Sequence, residues 1–276
     1  MMSDVKLDRL SSILEGLAPL VTVQLACEDR LEGGQCAGQE TDLLLFFLTQ
    51  GSAQLQVDGV PQQLMSPALM AVRASQRFVF HRFSVPNPRR LMMARVQLTG
   101  PVATLFLEEF SQPRTVSLTD EEPALRWAVA MIESEMDAPR CGQPALLNRA
   151  GDILFIGLLR YLVAHPGAQG SGLFKGLADP RIAKALVAMH QRPAWGWDLE
   201  LLAKEAGMSR TAFATKFHQT MRKPPGKYLS EIRLALAQRA VDSGRGLKEA
   251  AKLAGYGNSS ALSRALNKSR TLMMLS

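Results

Sequence analysis

Cysteine is scarce in this chain. The three present (Cys27, Cys36, Cys141) are odd in number and form no CxxC, which argues against a disulfide framework and against a zinc cluster. Histidine is nearly as rare. Of four, only His81 falls in a stretch with strand character, and one imidazole cannot hold a catalytic metal that needs about three protein ligands. A metal-dependent enzyme is thereby disfavoured, and no cofactor is expected. Long apolar runs are missing as well. The longest candidate, Ile153–Ala164, is cut by Arg160 and falls short of the roughly 18 residues a membrane span requires. The opening MMSDVKLDRL carries acids where a secretory leader is basic, and no apolar segment follows. These absences predict a cytoplasmic chain with no membrane partner.

What the chain does have is an uneven charge. Its net charge is +7, but residues 1–172 hold 14 basic and 18 acidic side chains, net −4. Residues 173–276 hold 18 and 7, net +11. A basic segment joined to a mildly acidic one fits a nucleic-acid binder with a separate control domain. At 276 residues, 47% hydrophobic and 21% charged, the chain is long enough for two packed domains.

The basic segment also repeats itself. LELLAKEAGMSRTAFATKF (Leu199–Phe217) and LKEAAKLAGYGNSSALSRAL (Leu247–Leu266) each place a small residue, Ala203 or Ala251, four before a glycine, Gly207 or Gly255. The alanine lets one helix approach the next, and the glycine permits a tight turn with positive φ. Ser209, and Ser259 or Asn258, can cap the helix that follows. Phe213 with Phe217, and Leu262 with Leu266, lie four apart and belong on the core face. The copies are 48 residues apart, Ala203 to Ala251. This is a helix-turn-helix written twice. Between them YLSEIRLALAQRAV (Tyr228–Val241) lacks Gly and Pro and reads as a stiff helix of about 21 Å. Such a rod would set two recognition helices about one turn of DNA apart, on consecutive major-groove segments.

Ahead of these motifs, Leu7, Leu10, Leu14 and Leu17 predict a short amphipathic helix ending before Pro19. Strands are expected at Leu43–Leu48, Ala53–Val57, Ala68–Arg73, Arg77–Phe83 and Arg90–Leu98, with Asp58-Gly59 as a hairpin turn. Two helices follow. The first spans Glu121–Met136, capped by Thr119 or Asp120; the second, Ala145–Ala164, has a broad apolar face suited to a sheet or to a second subunit. The nearly uncharged HPGAQGSGLFKG (His165–Gly176) reads as linker, and Asp179-Pro180 opens the next helix.

At this point the C-terminal hundred residues resemble the DNA-binding domain of AraC/XylS-type transcriptional regulators. The segments LAKEAGMSRTAFATKFHQTMRKPPGKYLSEIRLALAQRAV and AAKLAGYGNSSALSRAL carry the resemblance. More loosely, the first 165 residues resemble the cupin-like regulatory domain such regulators carry in front. The resemblance implies an α+β chain of two domains. Residues 1–168 would form a cupin-like β-barrel with flanking dimerisation-type helices, 169–178 the linker, and 179–276 an all-α domain with two helix-turn-helix motifs. It implies a sequence-specific DNA-binding transcriptional regulator rather than an enzyme. Double-stranded DNA, a small-molecule effector, a second copy of the chain and RNA polymerase are the expected partners.

Carried over position by position, the resemblance puts Ser209, Arg210, Thr211, Ala214, Thr215 and His218 on the DNA-facing side of the first recognition helix. On the second it puts Asn258, Ser259, Ser260, Ser263 and Arg264. Arg264 can grip a guanine edge with two bonds, whereas Ser and Thr discriminate little. Arg210, Lys216, Arg222, Lys223, Lys227 and Lys268 suit phosphate contacts, which position without specifying. The sequence departs from the family after the second motif, where NKSRTLMMLS replaces the usual Gly-x-x-Pro-x-x-Tyr segment. A regulator with impaired DNA binding is therefore one alternative. The other is a cupin-type small-molecule-binding protein or enzyme with an accessory helical domain. Inside the barrel Phe46, Phe78, Phe80 and Met93 could wall a small-molecule site, although residues of this kind are more often simple core. Cys27 and Cys36, nine residues apart in a Gly-rich stretch, could meet if the loop closes, and form a candidate oxidant-responsive pair.

Overall fold

The computed structural model describes residues 8–25, 41–84, 91–118, 122–167 and 172–274, without the side chains of Leu25, of residues 81–84 and of residues 270–274. Cys27 and Cys36, the expected caps Thr119 and Asp120, and the side chain of His81 lie outside that description. Leu7 of the leucine repeat does too.

The described chain divides into two units. One comprises residues 18–99 and 107–164. Its strands are β1 (Pro19–Leu25), β2 (Asp42–Leu48), β3 (Ser52–Val57), β4 (Val60–Met65), β5 (Ala68–Arg73), β6 (Phe78–Ser84), β7 (Leu91–Leu98) and β8 (Arg114–Ser117). They form a five-stranded sheet, β1-β7-β2-β5-β8, and a three-stranded sheet, β4-β3-β6. All described pairings are antiparallel. Asp58 (φ +50°) and Gly59 (φ +80°) make the β3–β4 turn, the two-residue geometry that matches strand twist.

The alternation of side chains builds the interior. Leu44, Phe46, Leu48, Met70, Val72, Leu91 and Met93 of the larger sheet meet Leu55, Val57, Leu64, Phe78 and Phe80 of the smaller one. Phe46, Phe78 and Phe80 stack edge to face with centroids 5.2–6.3 Å apart. Phe46, Phe78, Phe80 and Met93 are thus core residues. The opposite face of the larger sheet is buried too. Val21, Val96 and Leu43 stand in one row across β1, β7 and β2. Helix α4 covers that row: a Cβ on its Gly151 would lie 2.7 Å from Val21 and 2.8 Å from Val23.

The other unit comprises residues 8–17, 100–106 and 165–274. Three sequence segments thus share one helical body. The helices of both units, in chain order, are α1 (Ser11–Leu17), α2 (Ala103–Leu107), α3 (Pro123–Asp137), α4 (Gln143–Ala164), α5 (Leu173–Ala178), α6 (Pro180–Gln191), α7 (Leu199–Glu205), α8 (Arg210–Met221), α9 (Pro225–Asp242), α10 (Leu247–Ala254) and α11 (Ser259–Met274). The backbone of α1 touches the turn before α2: Gly100 N–H donates to Leu17 O at 2.7 Å, and a Cβ on Gly100 would sit 2.1 Å from Gly16 O. Phe106 of α2 stacks on Phe174 of α5 at 6.0 Å. Arg9 donates to Leu177 O and Ala178 O at the end of α5.

Helix α5 lies in the stretch read as linker. Its Leu173, Phe174 and Leu177 are buried. Gly176 permits the contact, since a Cβ there would lie 2.6 Å from both Leu186 and Met221. Glycine here serves close packing, not flexibility. No helix among the described residues is long and apolar enough to cross a membrane. The described residues also contain no group of three or more His, Cys, Asp or Glu placed to hold a metal ion.

Candidate nucleic-acid interface

The first motif is α7, a turn containing Gly207 (φ +62°), and α8. Asp198 caps α7 by accepting from Leu201 N–H at 2.8 Å, and Ser209 caps α8 by accepting from Ala212 N–H at 3.4 Å. Phe213 and Phe217 are fully buried, with ring centroids 5.5 Å apart. Phe217 stacks on Tyr228 of α9. Ala203 is buried. The second motif is α10, Gly255 (φ +75°) and α11. Asn258, rather than Ser259, supplies the cap, accepting from Ala261 N–H at 2.8 Å. Its core is leaner: Ala237, Ala240, Ala250, Ala251 and Ala254 close around Leu262 and Leu266.

With the apolar faces buried, the polar faces are left outward. Ser209, Arg210, Thr211, Thr215 and His218 are exposed on the first motif, and Ala214 and Lys216 half-buried. On the second, Asn258, Ser260, Arg264 and Lys268 are exposed, and Ser259 and Ser263 half-buried. Lys216 has a partner within the fold: its Nζ lies 2.6 Å from Asp179 Oδ2. Asp179 also accepts from Arg181 and Ile182 N–H as the cap of α6. Burial alone would push the Asp179 carboxyl up, but the Lys216 bond and the two amides outweigh it and hold it below the usual range. Lys216 therefore pins α8 to the start of α6, which leaves less of its charge to DNA. Lys223 is likewise paired, with Glu231 at 2.8 Å.

Helix α9 joins the motifs over 18 residues, about 27 Å. It is longer than the 14 residues read from the sequence, because Pro225 occupies the favoured first helical position and Pro224 the cap.

Below the first motif, His190 Nε2 lies 2.9 Å from the Tyr228 hydroxyl, and burial pushes the imidazole down to about 4. The unfolded chain takes up this proton near 6.5, so between the two values the unfolded state binds more protons. The stability this neutral histidine contributes is complete above about pH 6.5. It is lost as pH falls toward 4, by about 1.4 kcal/mol per pH unit. The melting temperature of the helical unit should fall across that window, and His190→Gln should flatten the fall. An identical pH profile in the variant would overturn this.

Sequence reasoning missed one group here. The segment leading into α7 holds Arg192, Trp195 and Trp197. The Arg192 guanidinium lies 5.7 Å from the Trp195 ring and 5.1 Å from the Trp197 ring, and Trp197 Nε1 donates to Arg192 O. Arg233, midway along α9, donates to Pro193 O at 2.8 Å and Trp195 O at 2.6 Å. Burial lowers the Arg233 guanidinium and raises the Tyr256 hydroxyl, and each partly offsets the other's shift. Nothing local to residue 233 signals a partner 38 or 40 residues earlier.

Two compact units, one holding the strands and one displaying paired helix-turn-helix motifs, define a class of protein. Residues 8–164 match the cupin family, and residues 202–270 match a helix-turn-helix domain family. A Streptomyces antibioticus protein described as an AraC-like transcription regulator is 32% identical over 151 residues, 54% of this chain and 50% of that protein. The chain thus spans about half the length of that relative. The RCS-specific HTH-type transcriptional activator RclR of Escherichia coli is 26% identical over 84% of this chain and 82% of its own length. Among solved structures, ToxT from Vibrio cholerae O395 aligns over 90% of this chain and 91% of its own, at 12% identity and TM-score 0.35. At that score the likeness adds nothing to the fold described above. Over residues 8–164 the chain belongs to the cupin family, and its C-terminal part carries the helix-turn-helix domain match.

Proposed function

We propose that this chain is a sequence-specific DNA-binding transcriptional regulator whose two motifs enter consecutive major-groove segments. The observation that carries the reading is the pair of separately cored motifs on one continuous helix, with their polar faces turned outward in the cationic half of the chain. Ser209, Arg210, Thr211, Ala214, Thr215 and His218 face one segment. Asn258, Ser259, Ser260, Ser263, Arg264 and Lys268 face the next. The strand unit is the effector-responsive part, and the chain works in the cytoplasm without catalysis, in contact with RNA polymerase.

Pairing of two copies belongs to the same reading. Trp127 and Met131 on α3, and Leu146 and Ile153 on α4, are 40–69% exposed, an apolar surface that a second chain would cover. A sedimentation mass of one chain would remove this element.

The test is selection of bound duplexes from genomic fragments, followed by Arg264→Ala on the recovered sequence. The variant should lose about 1–3 kcal/mol on that duplex and relax preference at one or two base pairs. Equal loss on all sequences would assign Arg264 to phosphate, and recovery of no duplex would overturn the proposal itself.

A further inference from the structure

The geometry points to Arg233 as the residue that fixes how the two helix-turn-helix motifs are turned relative to each other, and hence the spacing of the DNA segments they read. This rests on the regulator reading above and adds a device to it. A helical rod sets the distance between the two bodies at its ends. It does not by itself set their rotation about its axis, because side chains at a helix end leave each body room to roll. Rotation is fixed only where a second attachment is made away from the axis.

The segment before α7 makes that attachment at two places. Its carbonyls at Pro193 and Trp195 receive the Arg233 guanidinium from the middle of α9. Two bonds from one planar fork define a direction as well as a distance. The same segment meets the second motif at its turn: a Cβ on Gly255 would fall 2.6 Å from Ala194 Cα and 2.8 Å from Ala194 O. Gly255 therefore needs to be glycine twice over, for its φ of +75° and for this backbone contact. Its counterpart Gly207 has the positive φ but nothing within 4 Å. The difference isolates the Gly255–Ala194 contact from the ordinary demands of the turn. Arg192 also ties the segment to α7: its guanidinium lies over the Trp195 and Trp197 rings, at 5.7 and 5.1 Å, and 3.7 Å from Glu205. First motif, connecting helix and second motif thus close on one short loop, and Arg233 holds it from the connecting helix.

The experiment uses the full chain and a duplex recovered by selection with it, footprinted to locate its two protected segments. One or two base pairs are then inserted or removed between them. Each added base pair shifts the second segment by about 3.4 Å and turns it by roughly a tenth of the helix. The wild-type chain should lose at least about tenfold in affinity per step. Arg233→Gln should bring that ratio to within about threefold, while its affinity for a duplex bearing one segment stays within about twofold of wild type. A merely structural role would lower the melting temperature and affinity for every duplex alike, leaving the spacing ratio intact. Should Arg233→Gln fail to fold, Arg233→Lys, which keeps the charge and loses the fork, carries the same comparison. A folded variant with the wild-type spacing ratio overturns the assignment. Wild-type indifference to spacing overturns the two-segment reading beneath it.

Discussion

Raising salt from about 50 to about 200 mM should weaken DNA binding by this chain about 150-fold. The figure follows from counterion release: neutralising about four phosphates gives a slope near −3.6 in log affinity against log salt. The structure supplies the cations. Arg210, Arg222, Lys227 and Lys268 are exposed. Each stands outside the ion pairs that occupy Lys216, Lys223 and Arg245. Those pairs matter to the estimate, since counting every Lys and Arg of the basic segment would give a far steeper slope. Isotherms across that range measure it directly. A slope shallower than about −1 would place the cationic surface away from the DNA.

Phe217→Ala should cost about 3–5 kcal/mol, the usual toll for emptying an aromatic site in a core. That is a large share of the 5–15 kcal/mol that holds a domain together. Phe217 is fully buried and touches both Phe213 and Tyr228, so its loss removes the ring contact between α8 and α9. Leu266→Ala in the second motif should cost less, because the alanines around it leave fewer atoms to lose contact. Hydrogen exchange resolves where the damage falls. Amides of α6–α9 should lose protection while those of β2, β5 and β7 keep theirs. Equal loss in the strands would mean that the two units do not unfold separately.

Much of this was legible in the sequence because it is local. Ala203 is buried and Ala251 packs in the second motif's core, Ser209 caps the helix after it, and Asp179-Pro180 starts α6. Asp58-Gly59 turns β3 into β4. Each is a short-range requirement that a few adjacent residues satisfy. Other features depend on partners far along the chain. Leu173, Phe174 and Leu177 look like part of a Gly-rich connection until Phe106 and Leu186 are brought beside them. The pattern of Leu10, Leu14 and Leu17 announces a helix but not whose core it completes. The core positions of α8 and α11 were readable from helical period, and their outward polar positions from the family resemblance. The employment of Lys216 by Asp179 was not, because the two lie 37 residues apart in sequence. Arg233 was invisible for the same reason.

The composite make-up of the helical unit has a consequence for how the chain is made. Ser11–Leu17 is synthesised more than 160 residues before the α6 surface it rests on. Its docking must close a very long loop, and such closure is slow compared with helix formation. The strand unit can mature while the later helices are still being made, whereas this body is finished only once α6 has followed.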